Sequence, residues 1–220
     1  MALAGFESVA PCPSAAVSAH DLRQRFAVLE ARAADGGRGV RGDHDLNPGM
    51  PPPAELREAA VLVPLVERPD GLTVIFTRRT AHLASHAGQV SFPGGHTEEE
   101  DASPEDAALR ETEEEIGLHR RHIEPIGRLD TYITRTGFRV TPVVGLVKPP
   151  FDLAPDPEEV AELFEVPLAV ILAPDMPKRE SRDLFGVPRS FYVFPWRGNS
   201  IWGATAGMLV NLRDVLGEEP

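Results

Sequence analysis

The chain has a single cysteine, Cys12, in 220 residues. One thiol cannot close an internal disulfide, and it excludes the cysteine-rich zinc sites that need several of them. Cations are scarce as well: 22 Lys and Arg stand against 34 Asp and Glu, a formal net charge of −12. A protein with that balance repels nucleic-acid phosphates and anionic membrane surfaces, so neither is expected as a main partner. Long apolar runs are missing too. The longest, Ala59 to Val66, contains Pro64 and falls far short of the ~20 residues a membrane helix needs. No basic residue precedes Arg23, and Glu7, Pro11 and Pro13 interrupt the apolar start, which makes it a poor secretory signal. The expected compartment is a reducing cytoplasm. Aromatic residues are only 6% of the chain, and lone rings are read first as core packing.

What is abundant is carboxylate, and it is concentrated between Gly94 and Leu118, GGHTEEEDASPEDAALRETEEEIGL. The spacing predicts a short helix. Ser103 is a good N-cap, Pro104 suits the first helical position, Glu105 and Asp106 load the first turn, and Gly117 follows the last. Glu111 then has Glu114 and Glu115 at i+3 and i+4, on adjoining positions of one side. Three like charges so close destabilise a helix, and a divalent cation would turn their repulsion into coordination. A solvated acidic face is the alternative. Ala107, Ala108, Leu109, Thr112 and Ile116 supply an inner face for packing, and the Pro93-Gly94-Gly95 turn lets backbone approach the carboxylates.

Around that stretch, 42% hydrophobic and 25% charged residues describe one globular domain with extensions. Residues 1–55 read as an N-terminal arm. It holds one helix, Ser18 to Ala34, with Leu22, Phe26 and Leu29 at helical spacing, and a Gly/Pro-rich linker over 34–53. The arm is expected to dock on the domain or on a second subunit, which makes a homodimer a candidate assembly. Residues 56–220 form the domain. Strands are expected at Ala59–Val66 and Leu72–Thr77, joined across the Arg68-Pro69-Asp70-Gly71 turn, and at Gln89–Phe92, Ile123–Leu129, Phe138–Val147, Phe191–Pro195 and Ile201–Ala204. Val160–Val166 is open between strand and short helix. A helix begins near Pro167, and Thr205–Leu216 is a closing amphipathic helix. Strands with few, separated helices give a mixed-sheet α/β or α+β layered sandwich.

Several of these residues carry a resemblance. Gly95, Asp101 and the run Arg110-Glu111-Thr112-Glu113-Glu114-Glu115-Ile116-Gly117-Leu118 resemble the Nudix box. The departures are Asp101 for a glutamate, one extra residue in the following gap, and Thr112 at a usually aliphatic position. Upstream, Phe76-Thr77-Arg78-Arg79-Thr80 and Gly88 through Gly95, GQVSFPGG, are similar to the second signature of the coenzyme A pyrophosphatase subgroup, with Ala84 where that signature is basic. The resemblance spans roughly residues 58–215 and implies an α/β/α sandwich around a mixed sheet. It implies Mg²⁺ or Mn²⁺ on the box and cleavage of a nucleoside diphosphate compound. For the subgroup, the implied reaction splits coenzyme A into 3′,5′-ADP and 4′-phosphopantetheine.

The chemistry agrees with that implication, because hard oxygen donors suit such cations and a diphosphate needs its charge neutralised before a nucleophile can approach. Glu111 and Glu115 are the first metal-ligand candidates, with Glu114 and a carbonyl of Gly95 beside them. Arg110 is assigned to orienting the carboxylates. Glu114 and Glu159 are both candidates for the general base, with Glu158 and Glu162 competing. Arg78 and Arg79 alternate across a strand end, and Arg79 is expected at the substrate phosphates. His86 and Phe92 complete the substrate-binding candidates; Phe138 and Trp202 are further rings able to stack on a base. The rival substrates are ADP-ribose or a dinucleotide, and the rival class is a nucleotide-sensing module that does not cleave.

Overall fold

The computed structural model describes residues 17–36, 38–82, 87–184 and 187–217. Helix α1 (Ala19–Gly36) turns Leu22 and Phe26, one helical turn apart, fully into the core. Strand β1 (Val40–Gly42) follows, and then β2 (Arg57–Arg68) and β3 (Gly71–Arg79) form a hairpin. Two short strands, β4 (Val90–Ser91) and β5 (Gly94–His96), lead into α2 (Pro104–Ile116). A single 3-10 turn precedes β6 (Ile123–Arg128), β7 (Thr131–Ile133) and β8 (Phe138–Val147). Next come β9 (Val160–Pro167) and the one-turn α3 (Leu168–Ile171). The chain closes with β10 (Lys178–Leu184), β11 (Val187–Trp196), β12 (Asn199–Trp202) and α4 (Gly203–Gly217).

The first nine strands make one mixed sheet in the order β1-β7-β8-β2-β3-β4, with β5 also on β2, β6 on β8 and β9 on β3. Its centre is the parallel pair β2 and β8, in register from Arg57 opposite Phe138 to Val66 opposite Val147. A strand covered on both faces needs apolar residues at every position, which is why β2 reads as a continuous hydrophobic run. Ala60, Leu62 and Val66 pack with Ala107, Ala108 and Ile116 of α2. Ala59, Val63 and Leu65 face the other way, onto Leu22 and Phe26 of α1 and Leu209 and Leu212 of α4. The result is the expected α/β/α sandwich.

The described part of the arm shares this core rather than standing apart. Arg23 forks onto Glu124 at 2.8 Å through both contacts, and β1 joins the sheet parallel to β7. Val160–Pro167 is a strand, paired antiparallel with β3. Four strands are absent from the sequence expectations: β1, inside the Gly/Pro-rich linker, β5, at the glycine turn, β7, and β10, whose KRESRDL has no apolar alternation. All four are held by backbone pairing to a neighbour. Among the described residues no helix is long and apolar enough to cross a membrane.

Candidate active site

Helix α2 starts and stops where its sequence dictates. The Ser103 hydroxyl accepts from the Asp106 N–H at 3.2 Å, and Pro104 occupies the first turn. Gly117 ends the helix at φ 69°, donating its N–H to the Glu113 carbonyl at 3.0 Å. Burial of Ala107, Ala108, Leu109, Thr112 and Ile116 against β2 then fixes the rotation of the helix, and Glu111 and Glu115 come to lie beside β5.

The glycine pair makes that approach feasible. A Cβ on Gly94, whose φ is 145°, would stand 2.4 Å from the Ala60 carbonyl oxygen. A Cβ on Gly95 would stand 2.4 Å from Glu111 Oε2. Any side chain at position 95 would therefore fill the space the Glu111 carboxylate uses. The Gly94 N–H donates to Glu115 Oε2 at 3.1 Å, pinning the second carboxylate to the same strand.

Arg110 lies at the centre of the acidic loop. It forks onto Asp101 at 3.1 and 3.0 Å, donates to the His96 carbonyl at 3.1 Å, and reaches Glu111 at 2.9 Å and Glu114 at 3.2 Å. Bonding to Arg110, first of all, holds the Asp101 carboxyl below its usual range, and Asp101 in turn raises the Arg110 guanidinium. Arg110 thus bonds both Glu111 and Glu114 from an anchor on Asp101. Glu114 is the outlier of the acidic face, with its side chain 59% exposed.

Glu115 is the opposite case. Its side chain is 6% exposed, and burial above all pushes its pKa up to about 7. The Gly94 N–H and Arg79 oppose the shift, while the Glu159 and Glu111 charges add to it. Glu111 is also raised, by burial first, with Arg110 opposing and Glu114 and Glu159 reinforcing. Glu159 thus acts on both helix carboxylates from a loop forty-odd residues downstream. That loop is sewn to the end of α2: the Ala154 and Asp156 N–H groups donate to the Ile116 and Glu115 carbonyls, each at 2.9 Å. The Glu159 carbonyl accepts from the Thr80 N–H at 2.9 Å, and the Glu159 side chain remains 45% exposed.

Arg79 joins these elements. Its guanidinium lies 3.3 Å from Glu115 and 3.8 Å from Glu159. Arg78 points to the other face of β3, pairing with Glu162 and donating to Asn199 Oδ1 at 2.6 Å. Glu162 is thereby removed from the carboxylate cluster, and Glu158 is exposed beside His82 at 3.8 Å. Phe92 corrects an expectation. It is 2% exposed and stacked on Phe76 with ring centroids 5.1 Å apart, so it packs the core and offers no face to a substrate. His86 and Ala84 lie outside the described residues. The residues that place Glu159, namely Asp156 and Thr80, were not among the candidates, because a backbone hydrogen bond leaves no mark on side-chain pattern.

The donor set suits a hard divalent cation. Glu111 and Glu115 are carboxylates whose negative charges, with that of Glu159, oppose one another, and Gly95 leaves bare backbone beside them. Arg110 and Arg79 act as their counter-ions here, and among the described residues no three acidic or imidazole side chains converge on a single point.

Residues 56–185 match the family described as the NUDIX domain. The chain is 39% identical over 171 residues to the uncharacterized Nudix hydrolase NudL of Shigella flexneri serotype 5b, covering 76% of this chain and 87% of that one. It is 40% identical over 167 residues to NudL of Escherichia coli strain K12, covering 74% and 85%. Among solved structures it is similar to a Nudix hydrolase from M. smegmatis, RenU, at 21% identity and a TM-score of 0.48, covering 74% and 88%. The chain belongs to the Nudix domain family.

Proposed function

We propose that this Nudix hydrolase is a metal-dependent pyrophosphohydrolase that splits the diphosphate of coenzyme A or its thioesters into 3′,5′-ADP and 4′-phosphopantetheine or its acyl form. The observation that carries the reading is the junction at Glu115. There the box helix, the Gly94-Gly95 turn and Arg79 of the upstream signature meet within hydrogen-bonding or ion-pair distance. Residues that resemble the subgroup's two signatures thus share one site.

Glu111, Glu115, Glu114 and the Gly95 carbonyl would hold Mg²⁺ or Mn²⁺, which supplies charge neutralisation at the diphosphate oxygens. The chain's own residues do the rest. Arg79, released from Glu115, takes a phosphate oxygen with its planar fork. Glu159, half-exposed and facing the cluster, accepts the proton of the attacking water. The water oxygen forms the new bond to phosphorus, the bridging P–O bond breaks, and the departing phosphate leaves as the anion. Arg110, anchored by Asp101, keeps Glu111 and Glu114 aligned.

Ala84, standing where the signature is basic, favours a second reading in which ADP-ribose or a dinucleotide is the substrate. Hydrolysis of coenzyme A in ¹⁸O-labelled water, read by mass spectrometry beside parallel reactions with ADP-ribose and diadenosine compounds, separates the two. The expected products are 3′,5′-ADP and 4′-phosphopantetheine with the label on one of them. Faster turnover of ADP-ribose than of coenzyme A would replace the first reading by the second.

A further inference from the structure

Two things scarce in this chain gather in its small second sheet. Between Lys178 and Arg197 five basic residues stand against two acidic ones, in a protein whose net charge is −12. The same twenty residues hold five aromatic side chains, against a chain average of 6%. β11 pairs antiparallel with both β10 and β12, placing Arg182 opposite Arg189, Glu180 opposite Phe191 and Val193 opposite Trp202. Strand alternation then puts Arg182, Arg189, Phe191 and Trp202 on one face, while Phe194 and Ile201 turn into the core from the other. On that outer face the Arg182 guanidinium lies 5.4 Å from the Phe191 ring centroid and 5.6 Å from that of Trp202, and the rings are 5.7 Å apart.

The cations here differ from most of those elsewhere, although Arg57, Arg121 and Arg213 also turn to a ring, an imidazole and carbonyls rather than to carboxylates. Arg23, Arg41, Arg68, Arg78, Arg79, Arg110, Arg120 and Arg128 all bind carboxylates. Among the described residues, Lys178, Arg179, Arg182, Arg189 and Arg197 have no carboxylate partner, and Glu180, on the same face as Arg182, forms no ion pair with it. Stability would be served by pairing these cations with the surplus of acid. Left unpaired beside half-buried rings, they present charge-assisted donors next to a stacking surface, the combination that holds a nucleotide.

The sheet is also fastened to the catalytic side of the molecule. Asn199 of β12 accepts from Arg78, the neighbour of Arg79, and the Thr205 hydroxyl donates to the Val90 carbonyl of β4 at 3.1 Å. β11 and β12 lie beyond the residues that match the family.

We infer that the outer face of β10–β12 binds the phosphorylated nucleoside half of the substrate. The base packs against Phe191 and Trp202, and a phosphate monoester is taken by Arg182 and Arg189. The inference rests on the proposed hydrolase reading for its choice of ligand, and its test is independent of turnover. The full chain in EDTA is titrated with adenosine 3′,5′-bisphosphate by calorimetry, with adenosine and inorganic phosphate as separate probes. The bisphosphate should bind more tightly than either fragment. Arg182→Gln should weaken it by about 10-fold or more, the loss of one charge-assisted bond, and Trp202→Leu by about 5-fold or more, the loss of stacking. Arg182 is exposed, so its variant should keep the wild-type circular dichroism and Tm; Arg189→Gln serves where Trp202→Leu does not fold. Affinity within about twofold of wild type in folded Arg182 and Arg189 variants overturns the inference, as does equal binding of phosphate and bisphosphate. A weakened bisphosphate in a chain that does not cleave coenzyme A upholds this face and rejects only the substrate reading.

Discussion

The acidic face of α2 and the outer face of β10–β12 are opposite solutions to charge. On α2, like charges are crowded until burial and mutual repulsion raise two of them, and arginines on either side contain the excess. On the small sheet, cations sit without carboxylate partners among the described residues, and Arg182 rests on two aromatic rings. The first arrangement suits a cation and the second an anion. A diphosphate compound processed on a divalent ion needs both, and the two regions meet at the end of β3, where Arg79 turns to Glu115 and Arg78 to β12.

The comparison breaks most sharply at the helix. Glu111→Gln or Glu115→Gln should lower kcat for diphosphate cleavage by at least about 10²-fold, while adenosine 3′,5′-bisphosphate affinity at the sheet stays at the wild-type value. Steady-state rates beside calorimetry check this. Full activity in either variant would sink the carboxylate assignment.

The next effect is on stability. In metal-free protein Glu115 is raised from an ordinary 4.5 to about 7, so between those values the folded state keeps a proton the unfolded chain has released. Stability therefore falls as pH rises through this window, by up to about 3 kcal/mol at pH 8. Glu111, also raised, adds to the same slope. Glu124, held down to about 2 chiefly by Arg23, contributes stability present above its ordinary range and lost only in acid, outside the window. Urea unfolding at pH 5 and pH 8 in EDTA should show the fall, and Glu115→Gln should remove most of it. The variant that loses catalysis should be the more stable protein at pH 8.

The smallest effect sharpens the comparison. Ser103→Ala removes the cap of α2 and should cost about 1 kcal/mol in urea unfolding, with no change at the β10–β12 face.

The helix was legible because each of its determinants is local. Ser103, Pro104, Gly117 and the buried stripe act within a few residues of one another, and spacing alone put Glu111 and Glu115 on one side. The central strands were legible because a sheet covered on both faces demands unbroken apolar sequence. β1 and β10 were hidden because backbone pairing carries them and their side chains have no period to read. Phe92 shows the same limit in reverse. A ring next to the glycine turn invites a binding role, and only the fold reveals Phe76 stacked against it.

By itself the sequence determined the caps, the carboxylate spacing, the layered fold class and the candidates for metal and phosphate. The tertiary structure alone decided that Arg79 rather than Arg78 faces Glu115, that the loop at Asp156 brings Glu159 to the same cluster, and that Arg182, Phe191 and Trp202 share a face. Those outcomes depend on register and on contacts between residues tens of positions apart, and no local propensity encodes such contacts.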